Sequence, residues 1–228
     1  MKIGLIGDSL TEGRPGVSFV KILQEQFVAD KFVNLGKPGE SIKSLHSRLT
    51  KSKLETDYEL TFLWIGVNDV YAKLLSVQAQ PIAKDHEEFK DYYQKVLEIV
   101  LASSKQVVTV SPALVGENTT SVSNKEIKHL STIIQSISSQ YPNVRFLNMQ
   151  SVFEEHLAKV KSSDYISTKV MRVMLDVLFY KNPNRIDQLS QKRGLHFTMD
   201  GVHFNSTGAR IVAAEYASTI DRLLYNRH

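Results

Sequence analysis

The chain has 228 residues, 42% hydrophobic and 23% charged, a composition that argues against disorder and supplies one domain with an adequate core. It contains no cysteine, which excludes disulfides, thiolate metal sites and cysteine nucleophiles and fits a reducing cytoplasm. The net charge of +4 is spread along the chain: the densest stretch, Lys51-Ser52-Lys53, runs at once into Glu55 and Asp57, so no basic stripe marks nucleic acid as a partner.

Met1 to Gly7 is too short for the apolar core of a secretory signal, and no apolar run approaches the ~20 residues of a membrane span. A cytoplasmic protein of one domain, residues 1–228, is expected. Ile3-Gly4-Leu5-Ile6 is the first strand candidate. A helical stretch from Val17 to Phe27 follows, with Phe19, Val20, Leu23 and Phe27 at helical spacing. Phe32 to Leu35 is the second strand and Ile42 to Leu54 the next helix, with Ile42, Leu45 and Leu49 on one face. Leu60 to Ile65 is nearly all apolar, as a central strand buried on both faces requires. His86 to Leu101 is helical, Val107 to Val110 a strand stopped by Pro112, and Asn124 to Tyr141 a helix ended by Pro142. Val144 to Leu147 is the fifth strand, and a last helix runs from about Ser206 to Leu224.

Five strands alternating with helices imply an α/β fold with a parallel sheet covered on both faces. One segment departs from this alternation. Residues 150–198 hold no clear strand and read as a helical insertion, with a helix-like run from Asp164 to Tyr180 stopped by Asn182-Pro183-Asn184. Its apolar residues cover more than one face, which suits a core or dimer-packing helix. A lid or acyl-pocket wall is the second reading, with Met171 and Phe179 as candidate substrate contacts.

Chemistry concentrates where strands end. Gly7-Asp8-Ser9-Leu10 follows the first strand, Gly66-Val67-Asn68-Asp69 follows the third, and Asp200-Gly201-Val202-His203 precedes the last helix. Ligands of parallel sheets bind beyond the carboxyl ends of the strands, so Ser9 and Asn68 belong to one edge. A serine hydroxyl needs a base, the base an orienting acceptor, and a tetrahedral intermediate needs donors aimed at its oxyanion. Ser9, His203 and Asp200 supply the first three. The N–H groups of Ser9 and Gly39 and the amide of Asn68 are candidate oxyanion donors.

These blocks resemble the SGNH (GDSL-type) esterases and lipases. The first is Gly7-Asp8-Ser9-Leu10, the second Asn34-Leu35-Gly36-Lys37-Pro38-Gly39-Glu40-Ser41, the third Gly66-Val67-Asn68-Asp69, and the last Asp200-Gly201-Val202-His203. The resemblance implies a flavodoxin-like three-layer α/β/α sandwich. It also implies a Ser9–His203–Asp200 triad and an oxyanion hole of Ser9, Gly39 and Asn68, acting on carboxylic esters, thioesters or sugar O-acetyl groups without a metal or cofactor. Gly39 is preferred to Gly36 because it opens the following helix. The serine does not sit in the Gly-x-Ser-x-Gly elbow of α/β-hydrolases, since positions 7 and 11 are glycine and threonine.

Asp8 reads as structural, because a neighbour of the nucleophile in extended chain points elsewhere. None of the other histidines has metal-ligand spacing, and His196 is a minor candidate for a substrate contact. The expected partner is a small-molecule ester, and assembly into a homo-oligomer is left open. Two further readings stand beside a general serine esterase: a carbohydrate O-acetyl esterase, and a non-catalytic ligand-binding module on the same fold.

Overall fold

A computed structural model describes residues 1–75, 80–169, 175–176, 180 and 182–225. Strands β1 (Lys2–Gly7), β2 (Lys31–Gly36), β3 (Tyr58–Trp64), β4 (Ser104–Val110) and β5 (Val144–Leu147) form one parallel sheet in the order β2-β1-β3-β4-β5. The first helices in chain order are α1 (Ser9–Glu12), α2 (Phe19–Gln26), α3 (Ile42–Lys51), α4 (Val67–Tyr71) and α5 (His86–Leu101). They are followed by α6 (Val122–Ser138), α7 (Met149–Leu157), α8 (Pro183–Lys192) and α9 (Ser206–Ile220).

The apolar run of β3 is central, and Leu60, Phe62, Leu63 and Trp64 are all buried. Helices α2 and α9 pack together over one face of the sheet. There Phe62 stacks on Tyr216 with centroids 4.1 Å apart, and Phe19 meets Trp64 edge-on at 5.7 Å. Burying each such ring is worth about 1.5–3 kcal/mol, so this aromatic cluster locks the last helix onto the sheet. Helix α3 packs on α5, and α5 on α6. The result is the three-layer α/β fold expected from the alternation. Among the described residues no helix is long and apolar enough to cross a membrane.

The segment after β5 corrects the sequence reading in one place and adds to it in another. Residues 164–169 are not helical. Backbone donors along this stretch reach across the chain instead: Ser163 N–H donates to Gly194 O at 2.9 Å and Ser167 N–H to Asp200 O at 2.8 Å. Non-local hydrogen bonds replace the i→i−4 ladder, so these residues form a strap under the loop that carries Asp200. Met171 and Phe179 lie outside the described residues. Asn182-Pro183 also starts a helix of its own, which the sequence reading did not assign. Asn182 Oδ1 accepts from Asn184 N–H at 2.9 Å as the cap, and Pro183 occupies the first turn, where its missing N–H costs nothing.

Candidate active site

The strand order explains how distant blocks meet. β1 lies between β2 and β3, so the loop carrying Ser9 is flanked by the loops that carry Gly39 and Asn68. Ser9 opens α1 at the carboxyl end of β1, with Asp8 as the cap: Asp8 Oδ1 accepts from Leu10 N–H at 2.9 Å. The short helix lies hard against the end of β2. A Cβ on Gly36 would fall 2.3 Å from Glu12 N and 2.8 Å from Asp8 O, so only glycine lets the two backbones approach this closely.

His203 and Asp200 sit on a hairpin between α8 and α9. It is closed by the Thr198–Phe204 bridge and by Met199 N–H donating to His203 O at 2.7 Å. Within it Asp200 folds the tip around its own carboxylate. Oδ1 accepts from Val202 N–H at 3.0 Å and His203 N–H at 2.8 Å, while Oδ2 lies 2.7 Å from His203 Nδ1. The other ring nitrogen, Nε2, is 3.0 Å from Ser9 Oγ. The structure thus brings Ser9, His203 and Asp200 into one hydrogen-bonded line, and all three are buried.

The electrostatics of this line are those of a charge-orienting pair. Burial favours neutral His203. The charge and hydrogen bond of Asp200, with Asp8 and Asp176 beyond, outweigh it and hold the imidazole above its ordinary range. Burial likewise opposes the charge of Asp200, but His203 and the two N–H groups of the hairpin tip keep its carboxyl below the usual range. Asp8 differs: burial, only partly offset by the Leu10 N–H, pushes it up to about 7.

Gly39 does not open α3 as the sequence suggests. The helix begins at Ile42 with Ser41 as its cap, and Gly39 lies in the preceding turn at φ +74 with open space where a Cβ would stand. That turn is tied to the site on both sides. Lys37 N–H donates to Gly7 O at 2.9 Å, and Asn68 Nδ2 donates to Glu40 O at 3.0 Å. Asn68 and the Gly39 turn are therefore one hydrogen-bonded unit, and the second amide hydrogen of Asn68 is not spent on Glu40.

Two buried carboxylates support this unit and had no role in the sequence reading. Asp69 Oδ2 accepts from Ile42 N–H at 3.0 Å, fastening the start of α3, and burial pushes Asp69 up to about 7. Glu40 holds Arg48 through two hydrogen bonds of 2.7 and 2.6 Å. Asp69 is present in the third block, but nothing in its spacing shows that its partner is a backbone amide 27 residues earlier. His196, the minor candidate, turns its ring toward the backbone, with Nε2 2.9 Å from Lys161 O.

Residues 3–216 match the family described as GDSL-like Lipase/Acylhydrolase. The chain belongs to that family. It is a serine hydrolase acting on ester bonds. No curated protein sequence matches it. Among solved structures, the acetyl xylan esterase AlAXEase is similar with a TM-score of 0.69 and 22% identity, covering 96% of this chain and 100% of that one. Axe2, an acetylxylan esterase from Geobacillus stearothermophilus, gives 0.65 and 18% identity over 96% of this chain and 93% of its own. LAE5, described as an alpha/beta hydrolase enzyme from the metagenome of Lake Arreo in Spain, gives 0.66 and 16% identity over 97% and 95%. These likenesses extend the shared fold over nearly the whole GDSL-type chain.

Proposed function

We propose that this GDSL-type hydrolase cleaves short acyl esters of polar alcohols, with O-acetylated sugars as the substrate class and Ser9 as nucleophile. The observation that carries the mechanism is the line Ser9 Oγ–His203 Nε2–Asp200, at 3.0 and 2.7 Å. Ser9 Oγ attacks the ester carbonyl while its proton passes to His203 Nε2, and Asp200 holds the ring with its other proton on Nδ1. The carbonyl oxygen becomes an oxyanion received by Ser9 N–H, Gly39 N–H and the amide of Asn68. His203 returns the proton to the leaving alcohol. Water then repeats the sequence on the acyl-serine and frees the acid.

The preference for a sugar ester is supported by the structural likenesses rather than by a cavity at Ser9. The open cleft of about 360 Å³ beside the Gly39 turn is lined by Lys37, Pro38, Glu40, Ser44, Arg48 and Pro81 among others, and Ser9, Asn68 and His203 are not part of its wall. The similar solved structures include acetylxylan esterases, which agrees with this reading. A cytoplasmic location is part of the proposal, supported by the cysteine-free sequence.

The test combines a fluorophosphonate label with a series of p-nitrophenyl esters from acetate to decanoate and with acetylated xylo-oligosaccharides. The expected result is one label per chain on Ser9, acetate as the preferred chromogenic ester, and release of acetate from the oligosaccharide. Preference for decanoate would overturn the sugar reading. Failure of Ser9 to label would overturn the catalytic one and favour a binding module.

The pH dependence follows from the charges around His203. The imidazole must be neutral to accept the serine proton, so kcat rises with pH through the pKa of His203, which lies above the ordinary 6.5. Asp8 is among the carboxylates that stabilise the imidazolium, so Asp8→Asn should move this limb toward lower pH. Asparagine also caps helices well, which leaves α1 in place. A limb that stays put or moves upward in the kcat–pH profile contradicts this.

A further inference from the structure

Glu117 is a buried carboxylate on the loop after β4, remote in sequence from every block of the site. It is surrounded by donors. Oε1 accepts from Phe197 N–H at 2.8 Å, Thr198 N–H at 2.9 Å and Thr198 Oγ1 at 2.9 Å. Oε2 accepts from His196 N–H at 2.8 Å and from the Ser162 hydroxyl at 2.5 Å. Both oxygens thus face N–H and O–H donors, the arrangement a carboxylate group accepts best.

The loop that presents Glu117 is itself fixed. Asn124, in the first turn of α6, accepts from Val115 N–H at 2.8 Å and donates to the carbonyls of Val115, Gly116 and Asn118. Gly116 N–H donates to Gly201 O at 2.6 Å. The same loop therefore grips the catalytic hairpin on both sides of Asp200, at residues 196–198 through Glu117 and at Gly201 through Gly116. Thr198 completes the circuit, since its Oγ1 both donates to Glu117 and accepts from Gly201 N–H at 3.2 Å.

We propose that Glu117 is a positioning residue for catalysis: it sets the hairpin so that Asp200 and His203 stay in register with Ser9. The inference rests on the triad reading above. Ser9 and His203 come from segments 194 residues apart, and their 3.0 Å contact depends on where the hairpin docks. The strands fix Ser9. No strand carries His203, and the carboxylate of Glu117 supplies the anchorage a strand would give. A misplacement near 1 Å at a reacting group costs on the order of 100-fold in rate.

The test is Glu117→Gln, which keeps the shape but turns an amide NH2 toward donors on one side. The expected result is a kcat about 10–100-fold lower with KM within about threefold, since the hairpin aligns the reacting groups rather than holding substrate. The far-downfield NMR signal of the His203 Nδ1 proton shared with Asp200 should weaken or move in the same variant. Thr198→Val, which removes one donor to Glu117, should show both effects on a smaller scale and decides the matter if Glu117→Gln does not fold. Unchanged kcat and an unchanged imidazole proton, whatever the loss in Tm, would make Glu117 a structural strut and overturn the proposal. Ser9→Ala separates this inference from the reading on which it rests. If that variant keeps full activity the triad reading falls, and the imidazole proton alone then decides whether Glu117 positions the hairpin.

Discussion

Ser9→Ala is expected to lower kcat for p-nitrophenyl acetate by at least about 10³-fold, and by up to about 10⁶-fold. The loss is large because the substitution removes the proposed nucleophile atom, the one that would form the acyl bond, while His203, Asp200 and the proposed oxyanion donors stay in place. Those remaining parts set the floor. An intact oxyanion hole and bound substrate still accelerate attack by water over the uncatalysed reaction, so the variant should not fall to the buffer rate. KM should change little, since the hydroxyl is a small part of what a substrate touches. The fold should survive as well: Ser9 Oγ bonds only His203 Nε2 in the described structure, and a methyl group fits the buried position at the start of α1. Near-equal Tm values with turnover lost would mark the effect as chemical. A variant retaining more than a tenth of wild-type kcat would show that another group is the nucleophile.

Much of this site is legible in the sequence because parallel sheets place it at strand ends. The apolar run from Leu60 to Ile65 announces a central strand, and a turn of small and polar residues after such a strand lies at the ligand edge. Asp200 and His203 are legible as a pair because three residues of spacing make their relation local. What was not legible is non-local. Residues 164–169 are not helical, and the backbone donors of Ser163 and Ser167 reach Gly194 O and Asp200 O far along the chain. Asn182-Pro183 carries the same residue types at a helix start and a helix end, and only the chain that follows decides between them. Glu117 leaves no trace of any kind: the backbone amides it accepts from lie 79 to 81 residues away, and a single acid in an irregular loop looks like solvated surface. Gly39 is an intermediate case. The block that contains it is recognisable, but its place in a left-handed turn two residues before the cap follows from backbone torsions.

Asp200→Asn tests the part of the mechanism that geometry alone can hide. The exchange conserves size at a fully buried position, so packing is hardly disturbed. Its hydrogen bonding cannot be conserved. Oδ1 accepts from two backbone amides at the hairpin tip, at 3.0 and 2.8 Å, and Oδ2 faces His203 Nδ1 at 2.7 Å. An asparagine that keeps its oxygen on the amides turns its NH2 toward Nδ1. The imidazole must then carry its proton on Nε2 and donate to Ser9, which removes the base. An asparagine flipped the other way keeps the tautomer but sets its NH2 against two buried N–H groups, at about 1–3 kcal/mol for each donor left unpaired. Either arrangement also removes the charge that stabilises the imidazolium formed in the transition state. The expected result is a kcat about 10³–10⁴-fold lower, with the acid limb of the pH profile moved down. Stability should fall by far less than loss of the hairpin would cause, which a Tm measurement checks. If instead Asp200→Asn keeps more than a tenth of the wild-type kcat, the carboxylate is only a turn-former for Val202 and His203, and His203 draws its orientation from the docking of the hairpin alone.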